Sequence, residues 1–117
     1  MHLLLAITAL IGCSSDERLA GDLSTAFCDA YKTCRGEGFD RNWQGLEGCV
    51  SKQTDRWTGK LASLEDGTQL TCRMDARQVR RCRAALDDIQ CEDFSGKAWE
   101  SDCEGVLVCL QGLTGDW

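Results

Sequence analysis

The chain has 117 residues, 43% hydrophobic and 27% charged, with 19 acidic against 13 basic side chains and a formal charge of −6. That length holds a single domain and one core, and the acidity argues against non-specific nucleic-acid binding, which needs a basic footprint to neutralise phosphates. Its one histidine is His2, so the rest of the chain lacks the imidazole that Ser-His, Cys-His and His-ligated metal chemistry require, and no catalytic role is expected.

The N-terminal segment Leu3 to Ile11 is apolar except for Thr8. It falls far short of the roughly 20 residues needed to cross a bilayer and matches the h-region of an export signal. It runs into Leu10-Ile11-Gly12-Cys13, which resembles the lipobox of bacterial lipoprotein signal peptides. Met1-His2 departs from the usual basic n-region. The resemblance implies cleavage before Cys13, lipidation of Cys13 and a membrane held through that lipid. Ser14 stands where, in the best-known sorting scheme, an Asp would retain such a protein in the inner membrane, so the resemblance favours the outer one. The expected organisation is a signal peptide over 1–12, a lipid-anchored spacer over 13–17 and a single disulfide-rich helical domain over 18–117.

There are nine cysteines. Setting Cys13 aside leaves Cys28, Cys34, Cys49, Cys72, Cys82, Cys91, Cys103 and Cys109, an even set suited to four disulfides with no orphan thiol. Disulfides persist in the periplasm or outside the cell, so parity and the export signal agree. The absence of a Cys-x-x-Cys pair argues against thiol-disulfide exchange and leaves zinc only scattered ligands, so no metal or cofactor is expected.

With no proline, the apolar spacing predicts four amphipathic helices. The first covers about Asp16 to Cys34, with Leu19, Leu23, Phe27, Ala30, Tyr31 and Cys34 on one face, and is expected to stop at Arg35-Gly36-Glu37-Gly38. The second covers about Asn42 to Leu64, with Trp43, Leu46, Val50, Trp57, Leu61 and Leu64 forming a stripe. Glu65-Asp66-Gly67-Thr68 reads as a turn. Asp75 then caps a third helix to about Ile89, with Val79, Cys82, Leu86 and Ile89 inward. Cys91 to Glu100 is expected to be a loop burying Phe94 and Trp99, and a fourth helix is expected from Ser101 or Asp102 through Leu110.

Four short amphipathic helices can bury their stripes only against one another, so the expected fold is all-α, a small antiparallel bundle stapled by up to four disulfides. Cys28 and Cys34, like Cys103 and Cys109, are six apart, too far along a regular helix to bridge directly. Cys34 with Cys49 and Cys91 with Cys103 are the expected staples between consecutive helices.

The lipobox, the run Phe27-Cys28-Asp29-Ala30-Tyr31-Lys32-Thr33-Cys34 and the run Cys82-Arg83-Ala84-Ala85-Leu86 followed by Cys91 together resemble the small cysteine-rich lipoproteins that occur in many copies in myxobacteria and related bacteria. That family has no assigned biochemical activity, so the resemblance implies location rather than chemistry. The one surface feature of note is basic: five of 13 basic residues fall between Arg73 and Arg83. Arg73, Arg77, Arg80 and Arg81 at helical spacing form a stripe suited to an anionic surface or an acidic envelope protein. The bland reading pairs the stripe with Asp75, Asp87, Asp88 and the acidic C-terminal stretch, as a solvated structural face. Two other expectations are a ligand cavity among Trp43, Trp57 and the aliphatic stripes, for a small-ligand or lipid carrier, and an exposed loop at Arg35 to Arg41, for an exported enzyme inhibitor.

Overall fold

The computed structural model describes residues 15–68 and 70–110. The signal segment, the lipobox cysteine and the C-terminal residues 111–117 lie outside these. In chain order the elements are α1 (Ser15–Cys34), α2 (Gly36–Asn42), α3 (Gly45–Thr68), β1 (Thr71–Met74), α4 (Ala76–Asp87), α5 (Cys91–Ser95), a 3-10 helix (Ala98–Cys103) and β2 (Leu107–Leu110). The described residues therefore form a helical bundle with one small two-stranded sheet, closed by four disulfides.

α1 is the hub, packing against α3, α4, α2, α5 and β1. Asp16 and Glu17 in its first turn and Lys32 in its last complement the helix dipole. Its buried positions include Ala20, Ser24, Ala26 and Ala30, short side chains that let neighbouring helices approach closely on two sides. Ala26, Ala30 and Cys34 meet Leu86 and Ile89 near α4, while Cys28 faces α3 through its disulfide. α1 takes in Ser15, Asp16 and Glu17, the described part of the expected spacer. Asp16 has a tertiary reason to be ordered: its Oδ1 accepts the Met74 backbone N–H at 2.8 Å.

The core has two parts. The larger joins Ala20, Leu23, Ala26 and Ala30 of α1 to Met74, Val79, Cys82, Leu86, Phe94 and Val106, with Trp57 and Trp99 at its edge. The smaller is Phe39 against the Cys28–Cys49 bridge, flanked by Trp43, Leu46 and Val50. Phe27 and Tyr31 touch both. Ring contacts run from Trp99 through Phe94 and Phe27 to Tyr31, and on to Phe39 and Trp43, at centroid separations of 5.8 to 6.3 Å. Edge-on and tilted aromatic pairs of this kind add stabilisation beyond their buried area.

Several local expectations are corrected. Gly36 and Gly38 do not end helical structure; α2 forms across them because Phe39 is fully buried, and burying a phenyl ring outweighs the propensity cost of glycine. The break comes later. Trp43 is extended (φ −132°, ψ 149°) and Gly45 takes φ +77°, a conformation open to glycine, so α3 starts at Gly45 rather than Asn42. Glu65 to Thr68 is the last turn of α3, not a free turn, and Glu65 Oε2 accepts the Cys72 backbone N–H at 3.3 Å. Asp75 does stand at the N-cap of α4, where its carbonyl accepts the Val79 N–H, but its side chain makes no cap bond.

The expected fourth helix is absent. Its first residues belong to the 3-10 helix Ala98–Cys103, and Gly105 at φ +78° then turns the chain into β2. β2 pairs antiparallel with β1 in the register Thr71↔Leu110, Cys72↔Cys109, Arg73↔Val108 and Met74↔Leu107. Val106 and Val108 favour extended backbone, and the β1 edge supplies a partner that the linear pattern does not reveal. The expected Cys91–Glu100 loop is also largely helical, with Phe94 buried from α5. Trp99 is half-buried and donates its indole N–H to the Phe94 carbonyl at 3.1 Å.

The disulfides are Cys28–Cys49, Cys34–Cys91, Cys72–Cys109 and Cys82–Cys103. Neither Cys34–Cys49 nor Cys91–Cys103 forms. A step of six residues at about 100° each turns a helical side chain through roughly 240°. Cys28 therefore faces α3, while Cys34 points to the other flank, where α5 begins. Cys82 lies on the buried face of α4 and reaches the end of the 3-10 helix. Cys72 and Cys109 oppose each other across the sheet with Cα atoms 4.0 Å apart.

Candidate functional site

α4 turns Val79, Cys82 and Leu86 into the core, so helical geometry sends Arg77, Arg80 and Arg81 to the opposite, exposed face. Arg73 stands on β1 opposite Val108 and is half-buried. Three of these four arginines meet in one place. Arg73, Arg77 and Arg80 line an open groove of about 520 Å³ whose other wall is Ser15 and Leu19 of α1. Arg81 continues the basic face outside the groove.

Arg83 pairs with Asp22 of α1 at 3.8 Å, both side chains 48% exposed. Among the described residues Arg77, Arg80 and Arg81 reach no carboxylate at that range, so the expected pairing is not seen for these three; residues 111–117 of the acidic C-terminal stretch lie outside the described residues. Two carboxylates do lie in the groove, Asp16 and Asp75, of which Asp16 already accepts the Met74 N–H. Sequence reasoning missed the α1 wall entirely. Asp16 and Met74 are 58 residues apart, and only the packing of α1 on β1 brings them together.

The other candidates fare differently. Trp43 packs in the smaller core beside Cys28–Cys49, whereas Trp57 packs on the larger one. The cleft that Trp43 borders, about 270 Å³, is walled by Asp40, Arg41, Asn42, Gln44 and Lys52, without Trp57. The two indoles thus have separate structural positions. Arg35 to Arg41 is largely exposed but not a loop, since Gly36 onward forms α2 with buried Phe39 as its anchor. No group of three or more His, Cys, Asp or Glu side chains able to hold a metal ion occurs among the described residues.

Neither a family model, nor a curated protein, nor a solved structure matches the chain.

Proposed function

We propose that this protein is a non-catalytic, lipid-anchored component of a bacterial cell envelope, acting as an interaction or structural module at the membrane surface. The observation that carries the reading is the pairing of the cysteines. All eight from Cys28 to Cys109 bond to one another, so the described fold leaves no cysteine for Cys13, the residue that the lipobox resemblance marks for acylation. Four disulfides also favour an oxidising compartment outside the cytosol. No helix among the described residues is long and apolar enough to cross a membrane, so attachment would fall to the lipid. Ser14 supports the outer membrane over the inner.

The test is the intact mass of protein recovered from the membrane fraction of a bacterial expression host, before and after reduction with thiol labelling. The expected species begins at Cys13, carries acyl chains there and gains eight labels only after reduction. An unprocessed chain, or labelling before reduction, would overturn the proposal.

A further inference from the structure

We infer that the groove between α1 and α4 binds the phosphate of an anionic phospholipid headgroup in the membrane that holds the protein. The inference rests on the lipid anchor proposed above and adds what the domain does with its position. Ser15, the first residue of α1, lines the groove and follows Cys13 by two residues. Two residues span at most about 7 Å, so a lipid on Cys13 holds the groove at headgroup level. That distance lies within the screening length of roughly 8 Å at physiological salt, where charge attraction still acts.

The groove has the chemistry for that ligand. Arg77 and Arg80 are exposed and make no ion pair among the described residues, and a guanidinium offers planar paired donors that match phosphate oxygens. Arg73 adds a third positive charge against Asp16 and Asp75, while Arg81 beside the groove extends the basic face. Leu19, half-buried, supplies apolar surface beside the charges, suited to the glycerol portion of a lipid. The formal charge of the whole chain is −6, so an anionic bilayer repels most faces of the protein and favours contact through this one.

The experiment uses the acylated protein reconstituted in vesicles of phosphatidylcholine alone or mixed with phosphatidylglycerol. Phenylglyoxal modification is followed at Arg77 and Arg80 by peptide mass mapping. Arg35 and Arg41 serve as references, because both are exposed and lie near the far end of α1, some 20 residues or about 30 Å from Ser15. Modification of Arg77 and Arg80 is expected to be about fivefold slower in the anionic vesicles, with the references unchanged. Equal rates in the two lipids would overturn the assignment while leaving the anchor intact. Protection in native envelope membranes but not in anionic vesicles would overturn it in favour of an acidic protein partner. The intact mass of the same sample reads the anchor separately; a chain without lipid on Cys13 would refute the anchor and, with it, the membrane role of the groove.

Discussion

Removal of the Cys34–Cys91 bridge isolates the contribution of chain connectivity to stability. This bridge closes the longest loop of the four, with a sequence separation of 57, and it ties the end of α1 to the start of α5. Cys34 is only half-buried and Cys91 is exposed, so Cys34→Ala with Cys91→Ala leaves little cavity. Loop-closure entropy for a separation of 57 predicts a loss of about 4.2 kcal/mol. The other bridges overlap this loop in sequence, from Cys28–Cys49 on one side to Cys72–Cys109 on the other, which shortens the effective path only modestly because the entropy depends on its logarithm. Domains of this kind hold about 5–15 kcal/mol in total, so the double variant should fold but unfold at much lower urea. Equilibrium unfolding followed by tryptophan fluorescence measures the change. The denaturant slope should rise, because the unfolded chain becomes less constrained and exposes more surface. A loss below about 1 kcal/mol would refute the reasoning, since neither loop length nor geometry then accounts for the bridge.

Three further outcomes follow from single contacts. Asp16→Ala removes the acceptor of the Met74 N–H and should cost about 1–3 kcal/mol in thermal or urea unfolding, whereas Asp16→Asn, which keeps an acceptor oxygen, should cost markedly less. Phe39→Ala empties the centre of the smaller core and should cost about 3–5 kcal/mol, with hydrogen exchange of α2 accelerating more than that of α4. Gly105→Ala places a Cβ at φ +78° where the nearest other atom, in Gln78, is 3.9 Å away; strain without a clash should cost about 1–2 kcal/mol by urea unfolding.

The long helices were legible from spacing because their apolar periods were uninterrupted. Leu19, Leu23, Phe27 and Tyr31 mark one side of α1, and Val79, Cys82 and Leu86 mark the inner face of α4. Cysteine parity likewise required no structure: the even set from Cys28 to Cys109 points to bridges among its members. The basic stripe was visible as composition; helical spacing holds for Arg77, Arg80 and Arg81, which are exposed on α4, but not for Arg73, which stands on β1.

Tertiary contacts decided the rest. Helical spacing at Cys103, Val106, Leu107 and Leu110 also fits a short strand beyond Gly105, and the availability of β1 as a hydrogen-bonding partner selected the strand. α2 exists because Phe39 finds a pocket beside Cys28–Cys49, which local propensity around two glycines does not predict. Disulfide connectivity depends on where each helix presents its cysteine and on which element lies opposite, a property of packing rather than spacing. The groove depends on packing most of all, since Ser15 and Leu19 join Arg73, Arg77 and Arg80 only when α1 lies against β1 and α4. Local sequence thus determined which residues share a face; burial and pairing between distant segments determined what each face meets.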